Sequence, residues 1–376
     1  MHNNFCHHPW IGVDVTAQGE FRPCCKYDGF TDTPYPRSLQ EYRASPEILQ
    51  LKHDLLAGKR ANGCRRCWAD EDGGLLSKRQ IDHAEIFKDK ITNLDSYKIL
   101  SITFGNSCNL TCRTCTSYYS SGWIVPEKKL QTKFPTIEIY KHHKFYQDKK
   151  FIESILISFN NVVQIDFAGG ETFISGTKAH LEFLDYFIQQ GAHNISLRYV
   201  TNGTIFPNKE FWQRWKKFKS LEIQLSVDGT EQQFNYLRYP ANWQTVLHNI
   251  NLYKQQGITK LTVNHTISNL NVFYLPEFII WCIKNKLGKP HFNPVEAPSH
   301  YNIKSLPCTI KQAVTDKLLK YNLKNIVEYM NQEDLSSKFD FFLELTDELD
   351  LQRNQNFSST FPEFSKIISD YKTATD

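Results

Sequence analysis

Short apolar runs alternate with longer amphipathic segments along the middle of the chain. Six of the runs have the length and composition of buried strands: 98–104, 162–167, 195–200, 221–227, 261–266 and 290–293. Segments with apolar residues at helical spacing lie between them, for example 179–190 and 243–255. Because strands that alternate with helices form parallel sheets, the pattern predicts an α/β fold built as a partial (β/α)6 barrel.

The two ends of the chain follow different patterns. From residue 6 to about residue 79 the sequence is rich in turns, with one clear helix signal: Ser45 as N-cap, Pro46 in the first turn and Gly58 just past the end. Beyond residue 301 the pattern is helical, most clearly over 339–351. We therefore predict three parts: a small N-terminal domain (1–80), a TIM-like partial barrel (95–300) and a helical C-terminal extension (301–376).

Composition narrows the class of protein. Hydrophobic residues make up 40% and aromatic residues 14% of the chain, enough for a buried core. The net charge of +4 is too small to identify a nucleic-acid partner by charge. The first residues lack the pattern of a signal peptide, and no run approaches the roughly 18 apolar residues of a membrane span. We expect a cytoplasmic protein with no membrane partner.

Cysteine positions indicate metal binding. Eight of the ten cysteines lie in the first 115 residues, at positions 6, 24, 25, 64, 67, 108, 112 and 115. The cytoplasm keeps thiols reduced, so a disulfide framework is not expected, and clustered reduced thiols favour metal. Cys282 and Cys308 stand alone and are expected to be ordinary side chains.

Three of these cysteines share one short loop after the first predicted strand. The stretch NSCNLTCRTC contains Cys108, Cys112 and Cys115. A four-iron cluster usually takes four thiolates, so three on one loop would leave one iron open for a substrate or cofactor. A zinc knuckle, which takes four ligands in two pairs, or a chance grouping of buried thiols fits this spacing less well.

Together with Gly169-Gly170-Glu171 after the second strand, this loop resembles the radical S-adenosylmethionine (radical SAM) superfamily over about residues 96–293. The resemblance implies a 4Fe–4S cluster whose open iron chelates S-adenosylmethionine. It also implies reductive cleavage to a 5′-deoxyadenosyl radical, which abstracts a hydrogen atom from the substrate. The residue before the third cysteine is often aromatic in the family and is Thr114 here.

The same resemblance implies a set of cofactor-binding residues in the loops that follow the strands. They are Gly169, Gly170, Glu171, Asn202, Ser226, Asp228 and Arg238. In this interpretation the glycine loop holds the methionine amino group, Asp228 accepts from ribose hydroxyls, and Arg238 pairs with the methionine carboxylate. Ordinary turn or salt-bridge roles are the alternatives for each of them.

A second metal site is predicted near the N-terminus, from Cys6, Cys24, Cys64 and Cys67. Four soft ligands suit either an iron–sulfur cluster or a structural zinc ion. Gly19-x4-Cys24 is similar to the auxiliary-cluster modules called twitch or SPASM, which usually follow the barrel but here precede it. That similarity implies an auxiliary cluster with Cys24 as the ligand and Cys25 as its neighbour.

The substrate is less well defined by the sequence. Lysines and aromatic residues interleave over 128–150 and 209–219, as in single-stranded nucleic-acid sites, although Phe211, Trp215 and Phe218 have the spacing of a barrel helix. Because twitch-type relatives mostly modify peptides, the resemblance favours a peptide or protein side chain. The alternatives are a nucleic-acid base or nucleotide and, outside catalysis, a metal-stabilised binding protein. An external electron donor such as flavodoxin or ferredoxin is also implied.

Overall fold

The computed structural model describes residues 4–29, 38–85, 96–142, 144–174 and 176–375. Its strands form one sheet with the order β2-β1-β3-β4-β5-β6-β7-β8. The strands are β1 Gly12–Val15, β2 Phe21–Arg22, β3 Ile99–Thr103, β4 Gln164–Ala168, β5 Ser196–Thr201, β6 Ser220–Ser226, β7 Lys260–Ile267 and β8 His291–Pro294. All six predicted strands are present as β3 to β8, and each pairs in parallel with the next. The predicted α/β fold with a partial barrel is confirmed.

Helices precede and separate the strands. The N-terminal helices are α1 His8–Ile11, α2 Leu39–Ala44, α3 Pro46–Leu56, α4 Arg65–Asp72 and α5 Lys78–Glu85. Those between β3 and β8 are α6 Ile124–Leu130, α7 Lys149–Ser158, α8 Thr177–Gln189, α9 Lys209–Trp215, α10 Glu231–Leu237, α11 Trp243–Gln255 and α12 Leu275–Lys284. The Ser45 hydroxyl accepts a hydrogen bond from the Ile48 amide, as predicted for the N-cap of α3.

The N-terminal region takes part in the barrel sheet. β1 pairs in parallel with β3, with Gly12 opposite Ile99 and Val15 opposite Ile102. β2 then pairs antiparallel with β1 at the edge of the sheet. Neither strand was predicted from the sequence, because they are only four and two residues long within a turn-rich region. The sheet therefore crosses the predicted boundary between the first two domains, whose limits stay a prediction.

A polar row crosses the inside of the sheet. The strand register aligns Asp14, Ser101, Asp166, Arg198 and Glu222 on five neighbouring strands. Arg198 lies 3.1 Å from the Glu222 carboxylate and 3.7 Å from that of Asp166. Charges of opposite sign that are partly shielded from water satisfy one another in this way, so a charged network runs across neighbouring strands.

The C-terminal extension is helical, as predicted. Its helices are α13 Cys308–Leu319, α14 Lys324–Met330, α15 Phe339–Arg353, α16 Phe357–Thr360 and α17 Pro362–Thr375. Their apolar faces form a second buried core, which also takes in Tyr236 and Leu237 of α10 and Trp123 beside the three-cysteine loop. The extension therefore packs against the end of the barrel that carries the cysteines. In the parts of the chain that the structure describes, no helix is long and apolar enough to cross a membrane.

Candidate active site

A cavity of about 280 Å³ opens at the carboxyl ends of the strands. This is the end of a parallel sheet where ligands usually bind. Eight residues predicted from the sequence line it: Cys108, Cys112, Cys115, Gly169, Gly170, Asn202, Ser226 and Arg238. Two further predicted residues, Glu171 and Asp228, do not line the cavity but bind residues that do: Glu171 accepts from Thr201 and Asn202, and Asp228 pairs with Arg238.

The three-cysteine loop is fixed by backbone hydrogen bonds to the segment that follows α10. The Thr111 amide donates to the Tyr239 carbonyl at 2.7 Å, and the Arg113 amide donates to the Leu237 carbonyl at 2.8 Å. These two bonds flank Cys112 and bring the Arg238 side chain beside it. The loop is therefore held on the same segment that supplies the arginine.

Polar groups are directed at the sulfur atoms. The Leu110 amide lies 3.4 Å from Cys108 Sγ, and the Arg238 guanidinium lies 3.9 Å from Cys112 Sγ. Burial raises the pKa of the Cys108 thiol to about 12, so the thiolate needs a bound cation to form at neutral pH. These donors and the cavity beside them suit thiolates that bind iron.

The glycine loop packs directly against the three-cysteine loop. The Glu171 amide donates to the Ser107 carbonyl at 2.8 Å. A Cβ atom on Gly170 would lie only 2.2 Å from that carbonyl oxygen and 2.6 Å from its carbon. Only glycine allows this approach, because the atoms it meets belong to the backbone. The close contact leaves the backbone of Gly169 and Gly170 facing the cavity.

The Glu171 carboxylate orders the third loop. It accepts hydrogen bonds from the Thr201 hydroxyl at 2.7 Å and from the Asn202 amide at 2.8 Å. The Asn202 side chain in turn donates to Asn109 Oδ1 at 3.0 Å. Glu171 thus links the glycine loop, the end of β5 and the three-cysteine loop, and its predicted contact with the methionine amino group stays a prediction.

Arg238 and Asp228 form a buried pair at the edge of the cavity. Their side chains lie 2.8 Å apart, and Asp228 also accepts from the Thr266 amide at 2.8 Å. Arg238 Nε is buried and has no hydrogen-bond acceptor within the described ranges. A buried donor without a partner is costly, and an anionic ligand in the cavity would supply the missing acceptor. The predicted ribose contact of Asp228 stays a prediction, since its carboxylate holds Arg238 here.

These observations fit a 4Fe–4S cluster with bound S-adenosylmethionine. Three thiols share one wall of a cavity whose other walls provide glycine backbone and a guanidinium group. No three Cys, His, Asp or Glu side chains of the described segments converge on a point that one metal ion would occupy. A four-iron cluster does not need such convergence, because each thiolate binds a different iron atom.

The N-terminal cysteines line a second, separate cavity of about 20 Å³. Cys6, Cys24, Cys64 and Cys67, the four cysteines predicted to share one metal site, all line it, whereas Cys25 does not; that they bind metal stays a prediction. His8 lines it too, but its Nε2 atom lies 2.7 Å from the Asp82 carboxylate and is engaged there. Four thiols from three segments are the donor set of either a cluster or a zinc ion, but no three of them converge on one point in the described residues, an arrangement that suits a cluster of several iron atoms better than a single zinc ion.

Several lining residues were missed by the sequence analysis. They include Tyr119 in the segment after the three-cysteine loop, Thr266 at the end of β7, and Ala297 with Pro298 after β8. Thr266 and the pair after β8 could have been found, because they follow predicted strands. No pattern in the sequence identifies Tyr119, which faces the cavity only because of the path of its loop.

Comparison with known proteins agrees with this geometry. The Radical SAM superfamily model matches residues 102–274, which contain the three cysteines, the glycine loop and Arg238. The match identifies residues 102–274 as a radical SAM domain. No curated protein matched the sequence.

The chain is similar to two solved structures, but at low sequence identity and low structural similarity. Native anSMEcpe with bound AdoMet is 16% identical with a TM-score of 0.44, over 69% of this chain and 62% of that one. SuiB of Streptococcus suis is 15% identical with a TM-score of 0.40, over 73% of this chain and 56% of that one. The chain thus spans less than two thirds of the length of either protein.

Proposed function

We propose that this chain binds a 4Fe–4S cluster on Cys108, Cys112 and Cys115 and cleaves S-adenosylmethionine reductively. The resulting 5′-deoxyadenosyl radical then abstracts a hydrogen atom from a substrate. The observation that carries the proposal is the shared cavity, in which three thiols, the two-glycine backbone and a buried guanidinium group face one another.

The bound cluster would supply the electron that breaks the sulfonium bond. The residues of the chain have the task of binding and orienting the cofactor. The backbone of Gly169 and Gly170 is open to an ammonium group, and Arg238 Nε is a free donor for a carboxylate. Ser226 and Asn202 add polar groups on the opposite strands, where ribose hydroxyls would find partners.

For the N-terminal cavity we propose a second iron–sulfur cluster on Cys6, Cys24, Cys64 and Cys67. Lys26, Lys78 and Arg79 line the same cavity; Lys78 and Arg79 are paired with Asp82 and Glu71, and Lys26 adds a positive charge that suits an anionic cluster. Zinc is the alternative, and metal analysis after anaerobic purification separates the two. Zinc in place of iron would exclude electron transfer through this site.

The proposed substrate is a peptide or protein side chain. Residues 140–142 of the basic segment 128–150 lie beside the three-cysteine loop: the Asn106 side chain donates to the Lys141 carbonyl at 3.0 Å, and the Tyr140 amide donates to the Ser117 hydroxyl at 2.8 Å. Two of its four aromatic residues, Phe134 and Phe145, are buried and not available to stack on bases, whereas Tyr140 and Tyr146 are half-buried. Exposed lysines remain, and they keep a nucleic-acid base or nucleotide as the second candidate. We further propose a cytoplasmic location and an external donor such as flavodoxin or ferredoxin.

The proposal is tested by anaerobic reconstitution. Protein with reductant and S-adenosylmethionine is expected to release 5′-deoxyadenosine and to contain more than one cluster's worth of iron and sulfide. Replacing Cys108, Cys112 and Cys115 together by Ala should abolish the release, whereas Cys308→Ala, outside both cavities, should leave it unchanged. Continued cleavage by the triple variant would contradict the assignment. Deuterated peptides or nucleotides that transfer label into 5′-deoxyadenosine would identify the substrate.

A further inference from the structure

Two arginines connect the C-terminal extension to the three-cysteine loop. The first is Arg113, between Cys112 and Cys115 in sequence, with a fully buried side chain. It donates to the Asp350 carboxylate and to Gln355 Oε1 at 3.0 Å, and its guanidinium lies 3.7 Å from the centre of the Tyr236 ring. This part of the loop is therefore held from outside the barrel, by residues more than 200 positions later in the chain.

The second is Arg353, the last residue of α15. Its guanidinium lies between two rings, 4.8 Å from the centre of Trp123 and 4.9 Å from that of Tyr239. It also donates to the Thr111 hydroxyl at 3.3 Å. Trp123 in turn donates from Nε1 to the Cys112 carbonyl at 3.1 Å. Arg353 therefore contacts two groups next to Cys112: Thr111, which precedes it, and Trp123, which donates to its carbonyl.

The charges around Cys112 do not cancel. Arg113 is paired with Asp350 and Arg238 with Asp228. Arg353 has no carboxylate within 4.0 Å in the described ranges, and its buried Nη1 atom has no hydrogen-bond acceptor in them. The cation–π contacts with Trp123 and Tyr239 keep this unpaired charge in place and away from water. One uncompensated positive charge thus lies beside the middle cysteine of the loop.

We infer that Arg353 is a positioning residue of the radical SAM site, whose charge favours the reduced state of the cluster. The inference rests on the proposed function. One electron from a low-potential donor makes the cluster one unit more negative, with no proton taken up. A nearby cation therefore stabilises the reduced form more than the oxidised form, and most strongly where water is excluded. The C-terminal extension would in this way raise the midpoint potential of a cluster that the barrel residues bind.

The test is a reductive titration of the reconstituted full-length protein, followed by electron paramagnetic resonance. The signal that changes on adding S-adenosylmethionine reports the cluster with the open iron and separates it from the N-terminal site. Arg353→Gln is expected to disfavour one-electron reduction about tenfold, a fall in midpoint potential of about 59 mV. Arg353→Lys keeps the charge and should recover most of the wild-type potential. Arg214→Gln, on the outer helix α9, is the matched control and should not shift it.

The outcomes separate charge from shape. Equal shifts for Arg353→Gln and Arg353→Lys would show that packing matters rather than charge, and would overturn the inference. So would an unchanged potential in Arg353→Gln with a normal cluster. If the wild type takes up no cluster that responds to S-adenosylmethionine, the proposed function fails and this inference fails with it.

A second variant, Asp350→Asn, changes the charge near Cys112 in the opposite direction. Asp350→Asn removes the carboxylate charge that compensates Arg113; its single acceptor oxygen can serve the Phe357 amide, while Arg113 keeps its hydrogen bond to Gln355 Oε1. Reduction should become easier, with a rise in midpoint potential of the same cluster signal. A fall in potential in Asp350→Asn would overturn the inference.

Discussion

Replacing Gly170 by Ala gives a direct test of how the glycine loop and the three-cysteine loop fit together. The added methyl group would lie 2.2 Å from the Ser107 carbonyl oxygen, whereas ordinary contacts begin at 3.4 Å. Neither partner can rotate away, since both are backbone. The two loops must therefore move apart by about 1 Å, as the difference between these distances requires.

The expected cost follows from that movement. Separation breaks the hydrogen bond from the Glu171 amide to the Ser107 carbonyl, now 2.8 Å long, which is worth about 1 kcal/mol. Overpacking adds about 1–3 kcal/mol. A displacement of this size between cofactor-binding groups and the cysteines also affects the reaction, and misplacement by about 1 Å can reduce rates about 100-fold. Gly170→Ala should therefore lose both stability and 5′-deoxyadenosine formation.

Two assays on the same samples check this: denaturant unfolding for stability and 5′-deoxyadenosine release for the reaction. Gly257→Ala is the matched control, because its methyl group would meet nothing within 4 Å although φ is +62°. That variant should lose about 1 kcal/mol from the left-handed backbone and keep full activity. Normal activity in Gly170→Ala would refute the reasoning, since it would mean that the two loops do not need their present contact.

Three further results are expected. Cys24→Ala should remove the metal of the N-terminal site, whereas Cys25→Ala should leave metal per chain unchanged, because only Cys24 faces that cavity. Arg113→Met should lower the free energy of unfolding by about 3–5 kcal/mol, since it leaves a carboxylate without its buried partner; Arg60→Met, at an exposed pair, should cost about 1 kcal/mol or less. Burial raises the pKa of Asp14 to about 6, so the folded state keeps this proton more tightly than the unfolded chain does. Stability is therefore lost as the pH rises from about 4 to about 6, and Asp14→Asn should stabilise the protein by about 1–3 kcal/mol at neutral pH but not below about pH 4. A pH-independent difference would contradict the burial argument.

The barrel strands and the two cysteine sets were predictable from the sequence for different reasons. Long stretches of regular apolar spacing fix β3 to β8, and residues that follow such strands must meet at one edge of the sheet. The N-terminal cysteines were grouped because four soft ligands suit one metal site and because Gly19-x4-Cys24 resembles auxiliary-cluster modules, and the structure brings all four to one cavity.

Side-chain direction could not be predicted in the same way. Glu171 and Asp228 follow strands just as Asn202 does, yet their carboxylates turn away from the cavity to bind Thr201 and Arg238. That choice depends on neighbouring strands rather than on local sequence. The pairing of Arg113 with Asp350 joins residues 237 positions apart, and no local pattern links them.

The pairing of β1 with β3 also has a consequence for solubility. Without residues 12–15, the apolar strand Ile99–Thr103 would be an edge strand with unpaired backbone groups. Such edges invite pairing with other molecules. A fragment that begins at residue 95, where the barrel was predicted to start, is therefore expected to self-associate. The first strand of the chain protects that edge from aggregation.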